Sequence, residues 1–334
     1  MRAIVLNGPG LAGLTFADLP EPAATPGTVV LRLKAAALNH RDLWCCRGWK
    51  GSDRSAVLGS DGAGVIERIG GGVAGWRLGD EVIVNPGLNW PGDTEAPGPE
   101  FQILGSPSDG TLAERLCIPA TQLARKPGHL DWHQAAALPL SGLTGYRALF
   151  SVGGLRAGQT CVIGGIGGGT ALQTMLLAKA AGARVAVTSR DAGKRRRALE
   201  LGADLALDSA TAWAGQVIEF TAGAGAAVVI ENIGRPSWEQ SLASLARGGR
   251  LVVYGSTGGD VVETDLVPLF LNWRSIRGTT MGNAVEFERM VAFVAEHRIV
   301  PVVDRVFPFS AGIEALRQLD KSEQFGKLVV SLPG

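Results

Sequence analysis

The sequence predicts a two-domain α/β protein, in which a β-rich domain accompanies a doubly wound parallel sheet. Short strand patterns broken by Gly and Pro occupy the first part of the chain, at residues 29–34, 62–69, 81–84 and 113–118. From Trp132 onward, helical patterns alternate with six apolar strands, at residues 162–163, 185–188, 205–207, 228–231, 251–254 and 275–278. Such alternation is typical of a parallel sheet with helices on both faces. At 334 residues, the chain also exceeds what one hydrophobic core usually organises.

The change of pattern gives the predicted domain boundaries. We expect a first β-rich segment over residues 1–122, the parallel sheet over residues 123–283, and a return to the first domain over residues 284–334. The returning segment carries predicted helices at 285–297 and 311–319 and a strand at 327–330. Residues 85–105 form a long Pro- and Gly-rich loop, which indicates the lining of a site or interface, or alternatively a plain surface excursion.

The first strand of the parallel sheet runs into a glycine cluster. Residues 161–163 are apolar, glycines follow at 164, 165 and 167–169, and a helical pattern begins after them, over 172–181. Glycines let a pyrophosphate approach the backbone closely, and a helix N-terminus favours its negative charge. The pattern therefore predicts a dinucleotide site made by Gly165, Gly167, Gly168, Gly169, Thr170 and Ala171.

The end of the second strand favours NADP(H) over NAD(H). An acidic residue there would hold the ribose 2′-hydroxyl of NAD. This chain has Ser189 and Arg190 instead, with Lys194 one turn into the next helix, and hydroxyl and cationic groups suit a 2′-phosphate. Asp191 is the counter-evidence, because a small rearrangement would bring it to the ribose. Residues 195–197 are all arginine and are predicted to form a solvated helix face.

Composition excludes several classes of partner. The formal net charge of +1 and the absence of a basic stripe or an aromatic RNA-binding motif argue against nucleic acid. No apolar run reaches the length of a membrane span, and the chain starts as a strand rather than a charged leader, so a cytoplasmic protein is expected. The cysteines, at 45, 46, 117 and 161, lack the spacing of a structural zinc site, and nothing supports a disulfide.

Six further segments, taken together in this order, are specific: residues 38–42 (LNHRD), 58–64 (LGSDGAG), 79–82 (GDEV), 135–139 (AAALP), 143–146 (LTGY) and 324–327 (QFGK). In these segments the chain resembles the medium-chain dehydrogenase/reductases, especially the zinc-free quinone-reductase-like and related alcohol-dehydrogenase-like members. The resemblance implies a GroES-like catalytic domain formed by both ends of the chain, a Rossmann domain between them, and an active site in the cleft.

The resemblance also implies that both metal sites of the family are absent. Zinc members bind a catalytic ion through a Cys, a His and a second Cys, and this sequence has Asn39, Ser60 and Leu140 at those places. Zinc prefers thiolate and imidazole ligands. The family's structural zinc lobe would lie at residues 85–105, which contain no cysteine. A makeshift site of His40, Asp42 and Asp61 is the remaining alternative.

Without a metal, hydrogen bonds must stabilise the charge that hydride addition creates. A quinone or an enone spreads this charge over a conjugated enolate, so a few neutral donors suffice. The candidate donors are Asn39, Ser60, Thr144 and His40, with solvent or His40 as the proton source. Each of the first three has a local alternative: Asn39 fixes a turn, Ser60 satisfies a backbone group, and Thr144 caps a helix that begins near Gly142.

The remaining candidate site residues are placed by position. Trp44, Trp49 and Trp90 are expected to stack a flat substrate, with plain packing as the alternative role. The carboxyl ends of the fourth, fifth and sixth parallel strands, where an open α/β sheet binds its ligand, add Asn232, Gly234, Gly255, Ser256, Thr279, Thr280 and Met281. Thr144 is also expected to contact the cofactor, and the family resemblance adds Lys327 at the cofactor phosphates.

These observations predict an NADPH-dependent, zinc-independent oxidoreductase that transfers hydride to a quinone, an enone or a related carbonyl. The alternatives are a zinc-free alcohol or aldehyde dehydrogenase and a non-catalytic NADP(H)-binding sensor. A homodimer, or a dimer of dimers, is expected through the sixth parallel strand, because an outer strand exposes unpaired backbone groups. The apolar residues 266–271 would add buried surface, unless they fold back over their own domain.

Overall fold

The computed structural model describes residues 1–51, 56–90 and 92–333. It divides into two compact units, one formed by Met1–Leu140 with Gly282–Gly334 and the other by Ser141–Met281. We call these the terminal unit and the central unit. The first boundary lies after Leu140 rather than after residue 122, because the helix Trp132–Ala136 packs on strands of the terminal unit.

The terminal unit is β-rich. Its first strands are β1 (Arg2–Leu6), β2 (Leu14–Asp18), β3 (Thr28–Ala37), β4 (Ala56–Val57), β5 (Asp61–Ile69), β6 (Glu81–Val84), β7 (Gly87–Leu88), β8 (Gln102–Ile103), β9 (Arg115–Pro119) and β10 (Leu123–Arg125). Two helices belong to the same part of the chain, α1 (His40–Arg47) and α2 (Trp132–Ala136). The predicted loop at 85–105 contains β7 and β8, which pair with each other, while its Pro91 lies outside the described residues.

The labels of the central unit continue in chain order. Its strands are β11 (Thr160–Ile163), β12 (Arg184–Ser189), β13 (Leu205–Asp208), β14 (Ala226–Glu231), β15 (Leu245–Val253) and β16 (Ser275–Gly278). Helix α3 (Pro139–Tyr146) begins at the boundary and continues into a π-helical turn, Arg147–Val152. The other helices are α4 (Gly169–Ala180), α5 (Ala192–Glu200), α6 (Ala214–Phe220), α7 (Trp238–Ala243) and α8 (Leu266–Leu271). Thr144 lies inside α3, so the alternative that it caps a helix beginning near Gly142 is wrong.

The C-terminal segment joins the terminal unit. It contributes α9 (Ala284–Glu296), β17 (Val303–Pro308), α10 (Gly312–Lys321) and β18 (Lys327–Ser331). β18 pairs antiparallel with β3 and parallel with β17, in a sheet of order β10-β6-β5-β3-β18-β17 to which β9 adds through β3. This pairing brings the start of β18 beside the end of β3, and β5 starts opposite the same end of β3.

The terminal-unit strands form because their alternate apolar residues bury a common core. Leu31 and Leu33 of β3, Ile66 of β5 and Val82 of β6 are almost completely buried in it. Together with Val330 of β18, they tie the two ends of the chain into one core. This burial fixes the register of β3, β5 and β18, because a shift of one residue would turn the apolar side chains outward.

The central unit is the predicted parallel sheet. All neighbouring strands pair in parallel, in the order β13-β12-β11-β14-β15-β16, which is that of a doubly wound nucleotide-binding sheet. Val162, Ala186, Val229 and Leu251 on its inner strands are fully buried. A strand buried on both faces reads as a continuous apolar run, which explains why the sequence located each of them.

Exposed apolar residues precede the outermost strand of this sheet, β16. Within the part of the chain that the structure describes, β16 pairs only with β15. Phe270 and Leu271 on α8 and Trp273 just before β16 are each more than half exposed, and α8 buries none of its residues. The alternative that residues 266–271 fold back over their own domain is therefore wrong.

The helices are too short or too polar to cross a membrane. Within residues 1–51, 56–90 and 92–333, none of them combines the length and the apolarity that spanning a bilayer requires.

Candidate functional site

The glycine loop after β11 is shaped by close packing. Gly165 has φ +63° and Gly167 has φ +134°, values that side-chain-bearing residues rarely adopt. A Cβ atom on Gly165 would lie 2.4 Å from Cδ1 of Ile233, and one on Gly167 would lie 2.7 Å from Cδ of Lys194. Gly168 is the N-cap of α4, so the loop delivers the chain directly to a helix N-terminus. This is the backbone arrangement that a pyrophosphate requires.

A cationic side chain lies against this loop. Lys194 extends along Gly167, with its Nζ 3.4 Å from the position that a Cβ there would take. Asp191 accepts a hydrogen bond from the backbone N–H of Lys194 at 2.9 Å and so caps α5. This hydrogen bond lowers the pKa of Asp191. The hydroxyl of Ser189 accepts the backbone N–H of Asp191 at 3.2 Å, and Arg190 between them is exposed.

Arg195 does not belong to a solvated helix face, which corrects the prediction for this residue. Its Nη1 donates to the carbonyl of Ser189 at 2.6 Å, and its Nη2 lies 3.2 Å from a carboxylate oxygen of Asp208. Only 20% of its side chain is exposed, against 77% for Arg196. Arg195 therefore fixes the end of β12 to the end of β13.

A buried carboxylate organises the loop after β14. Glu231 is fully buried and accepts the backbone N–H groups of Ile233 at 2.6 Å and Gly234 at 3.0 Å. The hydroxyls of Ser237 and Ser241 also donate to it, the second at 2.6 Å. These donors compensate the desolvated charge. Sequence reasoning missed Glu231 because a single acid at the end of an apolar strand has many possible roles.

Asn232 carries an unsatisfied acceptor next to the glycine loop. Its Nδ2 donates to the hydroxyl of Tyr254 at 2.9 Å, whereas its buried Oδ1 has no hydrogen-bond partner within residues 1–51, 56–90 and 92–333. This Oδ1 lies 3.0 Å from the position of a Cβ on Gly165. Gly255 follows Tyr254 and packs on Asn232, since a Cβ there would lie 3.5 Å from the carbonyl oxygen of Asn232. An orphaned acceptor at this position suits a ligand hydroxyl group.

The structure also brings together other strand-end residues of the central unit. Ser256 packs on Gly234, because a Cβ atom added to Gly234 would lie 3.5 Å from the Cα atom of Ser256. Thr144 Oγ1 lies 4.0 Å from the sulfur of Met281. Thr279 accepts from Nε of Arg147 at 3.0 Å, an arginine that sequence reasoning did not select. The following Thr280 is exposed.

Together these features fit a dinucleotide. The loop offers a helix N-terminus, and at Gly165 and Gly167 it has backbone conformations and close contacts that favour glycine. Lys194 supplies a positive charge beside it, and Asn232 supplies an acceptor that has no partner among the residues that the structure describes.

The terminal unit contains a buried polar cluster around Asp61. Nζ of Lys327 donates to Oδ1 of Asn39 at 2.6 Å and to Oδ2 of Asp61 at 2.9 Å. Nδ2 of Asn39 donates to the same Oδ2 at 2.9 Å, and the backbone N–H of Leu140 donates to Oδ1 of Asp61 at 2.7 Å. Asn39, Asp61 and Lys327 are 7%, 0% and 5% exposed. The ammonium is thus held within this unit, and the expected contact of Lys327 with cofactor phosphates stays a prediction.

The hydroxyl of Ser60 satisfies a backbone carbonyl group, which is the alternative role given for it above. It donates to the carbonyl of Leu104 at 3.0 Å, and Nη1 of Arg41 donates to it at 3.1 Å. Ser60 is completely buried. Because its proton is engaged by a backbone acceptor, Ser60 is a poor donor for a substrate, contrary to the expectation.

His40 and Asp42 on α1 have shifted pKa values. Burial, and then the neighbouring Lys327 ammonium, lower the pKa of His40, so the imidazole is neutral at pH 7. Burial raises the pKa of Asp42 from its ordinary value of 3.8 to about 6. One oxygen of Asp42 accepts the backbone N–H of Asn39 at 2.8 Å, and the other is buried without a partner in the described part of the chain. A neutral His40 is a weak proton donor, which leaves solvent as the better of the two predicted sources.

The three selected tryptophans have different surroundings. Trp44 is 54% exposed, and Trp49 packs partly on the terminal-unit core. Both line a cavity of about 460 Å³ in the terminal unit. Trp90, in contrast, is 6% exposed, contacts Phe101 edge-to-face at 5.3 Å between ring centroids, and donates Nε1 to Thr94. Trp90 therefore has the packing role, whereas Trp44 and Trp49 present surface to a cavity.

The donor set does not fit zinc. Asn39, Ser60 and Leu140 offer an amide, a hydroxyl already bound to Leu104, and an apolar side chain. Both carboxylate oxygens of Asp61 accept hydrogen bonds, one of them from an ammonium. Among the described residues, no group of three His, Cys, Asp or Glu side chains is placed to hold a metal ion, which includes His40, Asp42 and Asp61.

Comparison with known proteins agrees with this geometry. Residues 25–128 match the alcohol dehydrogenase GroES-like domain model, and residues 168–296 match the zinc-binding dehydrogenase model. A zinc-type alcohol dehydrogenase-like protein of Schizosaccharomyces pombe is 34% identical over 317 residues, which cover 92% of this chain and 91% of that protein. The chain is a medium-chain dehydrogenase/reductase.

Two solved medium-chain dehydrogenase/reductase structures show the same fold over the full chain. An NAD-dependent alcohol dehydrogenase has a TM-score of 0.92 at 36% identity and covers 100% of both chains. The 2-octenoyl-CoA carboxylase reductase CinF, solved with NADP and 2-octenoyl-CoA, has a TM-score of 0.90 at 27% identity and covers 99% of this chain and 87% of that one. The terminal unit is thus the GroES-like part and the central unit the Rossmann-like part of an oxidoreductase of this family, as the sequence predicted.

Proposed function

We propose that this protein is a zinc-independent reductase that uses NADPH to deliver hydride to a quinone, an enone or a related conjugated carbonyl such as an enoyl thioester. The observation that carries the proposal is the donor set: Asn39, held between Asp61 and Lys327, stands where zinc members have a thiolate. A conjugated acceptor spreads the negative charge of the product enolate, so it needs less local stabilisation than an alkoxide. The NADP and 2-octenoyl-CoA bound by CinF support this substrate class.

The cofactor would be held by the central unit. The backbone N–H groups of the glycine loop and of the start of α4 would bind the pyrophosphate, and Lys194 with Arg190 supplies positive charge for a 2′-phosphate. Oδ1 of Asn232 is available to a ribose hydroxyl. When bound, NADPH supplies the hydride. The similarity to a solved NAD-dependent alcohol dehydrogenase is an argument for NADH instead. The proposal of NADPH therefore rests on residues 189–194.

The terminal unit would stabilise the reacting carbonyl. Asn39 has one amide N–H engaged by Asp61, which leaves the second to donate to the carbonyl oxygen as charge develops there. Trp44 and Trp49 offer apolar surface to a flat or extended acyl group. Because His40 is neutral at pH 7, solvent protonates the enolate carbon after hydride addition.

A zinc-free alcohol or aldehyde dehydrogenase is the second candidate. It is favoured by the names of two relatives, one an alcohol dehydrogenase and the other a zinc-type alcohol dehydrogenase-like protein. The same neutral donors would then have to stabilise a localised alkoxide, which is a harder task without a metal.

A substrate panel tests the proposal. NADPH oxidation is measured with a quinone, an enone, an enoyl-CoA and a simple aldehyde, on protein analysed for zinc and treated with a chelator. We expect kcat/KM at least about tenfold higher for a conjugated acceptor than for the aldehyde, with activity unchanged by chelation. Preference for the aldehyde would favour the alcohol dehydrogenase candidate, and tight NADPH binding without turnover would favour a sensor. One zinc ion per chain with loss of activity on chelation would contradict zinc independence.

We further propose that two copies associate through β16 as a dimer or a dimer of dimers. The edge strand and the exposed apolar residues Phe270, Leu271 and Trp273 would be covered by the same surface of a second copy. Ile276→Asp is expected to halve the molecular mass of the assembly in light scattering, because it places a charge in the contact. Val306→Asp changes a comparably exposed valine of the terminal unit and is the control. A wild-type monomer at micromolar concentration would refute the assembly.

A further inference from the structure

The side chain of Asn39 lies between an ammonium and a carboxylate. Its Oδ1 accepts from Nζ of Lys327 at 2.6 Å, and its Nδ2 donates to Oδ2 of Asp61 at 2.9 Å. The same Asp61 oxygen also accepts from Lys327 at 2.9 Å, so the three groups close a ring of hydrogen bonds. All three side chains are at least nine-tenths buried, which keeps water from competing with these bonds.

This ring fixes which end of the amide points where. A flipped Asn39 would set its NH₂ group against the Lys327 ammonium and its carbonyl oxygen against the Asp61 carboxylate. Both contacts would then join like partners, donor to donor and acceptor to acceptor. Only one of the two amide orientations is therefore compatible with its neighbours.

The partners are themselves held by the backbone. Asp61 starts β5 and receives the backbone N–H of Leu140 on its other oxygen at 2.7 Å. Lys327 starts β18, and β5 and β18 both pair with β3, whose end leads to Asn39. The register of the sheet thus sets the positions of all three side chains.

We propose that Asp61 and Lys327 are positioning residues that lock the Asn39 amide with one N–H directed to the substrate carbonyl, an inference that rests on the proposed function. The Asn39 amide has two N–H groups, of which one is engaged by Asp61 and the other has no acceptor among the described residues. A thiolate ligand at this position would have no orientation to fix. The amide needs one, because only its nitrogen end stabilises negative charge. Lys327 acts here through Asn39 rather than as a ligand of the cofactor phosphates.

The test is a cycle of four proteins. Single changes of Asp61 or Lys327 leave a buried charge without its partner and risk unfolding. The double variant Asp61→Asn/Lys327→Met removes both charges together. It is compared with the wild type, with Asn39→Ala, and with the triple variant that combines all three changes. A matched control, Glu67→Gln/Arg115→Met, neutralises an ion pair with a 2.7 Å contact on the same sheet.

Measurements are kcat for the best conjugated acceptor and Kd for NADPH. We expect Asn39→Ala to lower kcat about 100-fold in the wild type, the scale of losing one oxyanion donor, and less than about threefold in the double variant. The double variant itself should lose about 10- to 100-fold in kcat, keep its NADPH affinity within about twofold, and unfold cooperatively like the control, which keeps full activity.

Three results would overturn the inference in distinguishable ways. An equal loss from Asn39→Ala in both backgrounds would show that the pair does not position the amide. A large rise in the NADPH Kd of the double variant, with kcat retained, would make Lys327 a phosphate ligand. If the wild type turns over no carbonyl acceptor while binding NADPH, the proposed function fails and the inference falls with it.

Discussion

Arg190→Ala/Lys194→Ala is expected to weaken NADPH binding by roughly 3–6 kcal/mol, because each residue would lose a charge-assisted hydrogen bond of about 1.5–3 kcal/mol to the 2′-phosphate. Binding of NADH, which lacks that phosphate, should change by less than about twofold. Arg190→Ala alone should give about half of the free-energy loss. Fluorescence titration of the reduced cofactors measures both affinities on the same protein.

The control for this prediction lies on the same helix. Arg196 is 77% exposed at its side chain and pairs only loosely with Glu200, so Arg196→Ala should leave both affinities unchanged. Equal losses for NADPH and NADH in the double variant would contradict the assignment, since they would indicate damage to the shared pyrophosphate or ribose contacts. Tighter binding of NADH than of NADPH by the wild type would favour Asp191 at the ribose.

Asp42→Asn is expected to stabilise the protein at pH 8 by about 1–3 kcal/mol. Burial raises the pKa of Asp42 to about 6 from 3.8, so the folded state binds its proton more tightly than the unfolded state. Above about pH 6 the ionised carboxylate therefore destabilises the fold, and each tenfold difference in proton affinity between the two states corresponds to about 1.4 kcal/mol. The full amount is not regained, because an amide nitrogen in place of the unpartnered oxygen also lacks a partner.

The sign of this effect is checked by its pH dependence. The advantage of Asp42→Asn over the wild type should shrink as pH falls from about 6 to 3.8 and vanish below 3.8, where the aspartic acid is protonated in both the folded and the unfolded state. Urea unfolding at pH 8, 6 and 4.5 measures it, with Asp18→Asn as an exposed aspartate control. An advantage independent of pH, or a destabilised variant at pH 8, would contradict burial as the cause.

The strands of the central unit were the most predictable part of the fold. Each lies between helices and its inner members are buried on both faces, so they appear in the sequence as short apolar runs. The glycine loop was equally predictable, because its positive φ angles are nearly restricted to glycine. The first domain boundary could not be predicted from the sequence. Helix α2 has a helical pattern like those of the central unit but packs on strands of the terminal unit.

The contacts of the candidate site were less predictable than its residues. The ring of Asn39, Asp61 and Lys327 joins residues separated by up to 288 positions, and only the pairing of β18 with β3 brings them together. The family resemblance selected Asn39 and Lys327 but gave no reason to expect that they touch. Trp90 and Arg195 show the same limit, because the partners that explain them, Phe101 and Asp208, are not recognisable from local pattern.

The carboxylate of Glu231 has a consequence for the thermodynamics of cofactor binding. Ordering a loop residue costs about 1–2 kcal/mol of conformational entropy. The buried Glu231 carboxylate already accepts hydrogen bonds from the backbone N–H groups of Ile233 and Gly234. The entropy of ordering this loop is therefore lost when the protein folds and not when the cofactor binds. Calorimetry should therefore find a small entropic penalty for association at this loop, and cofactor release should leave its conformation unchanged.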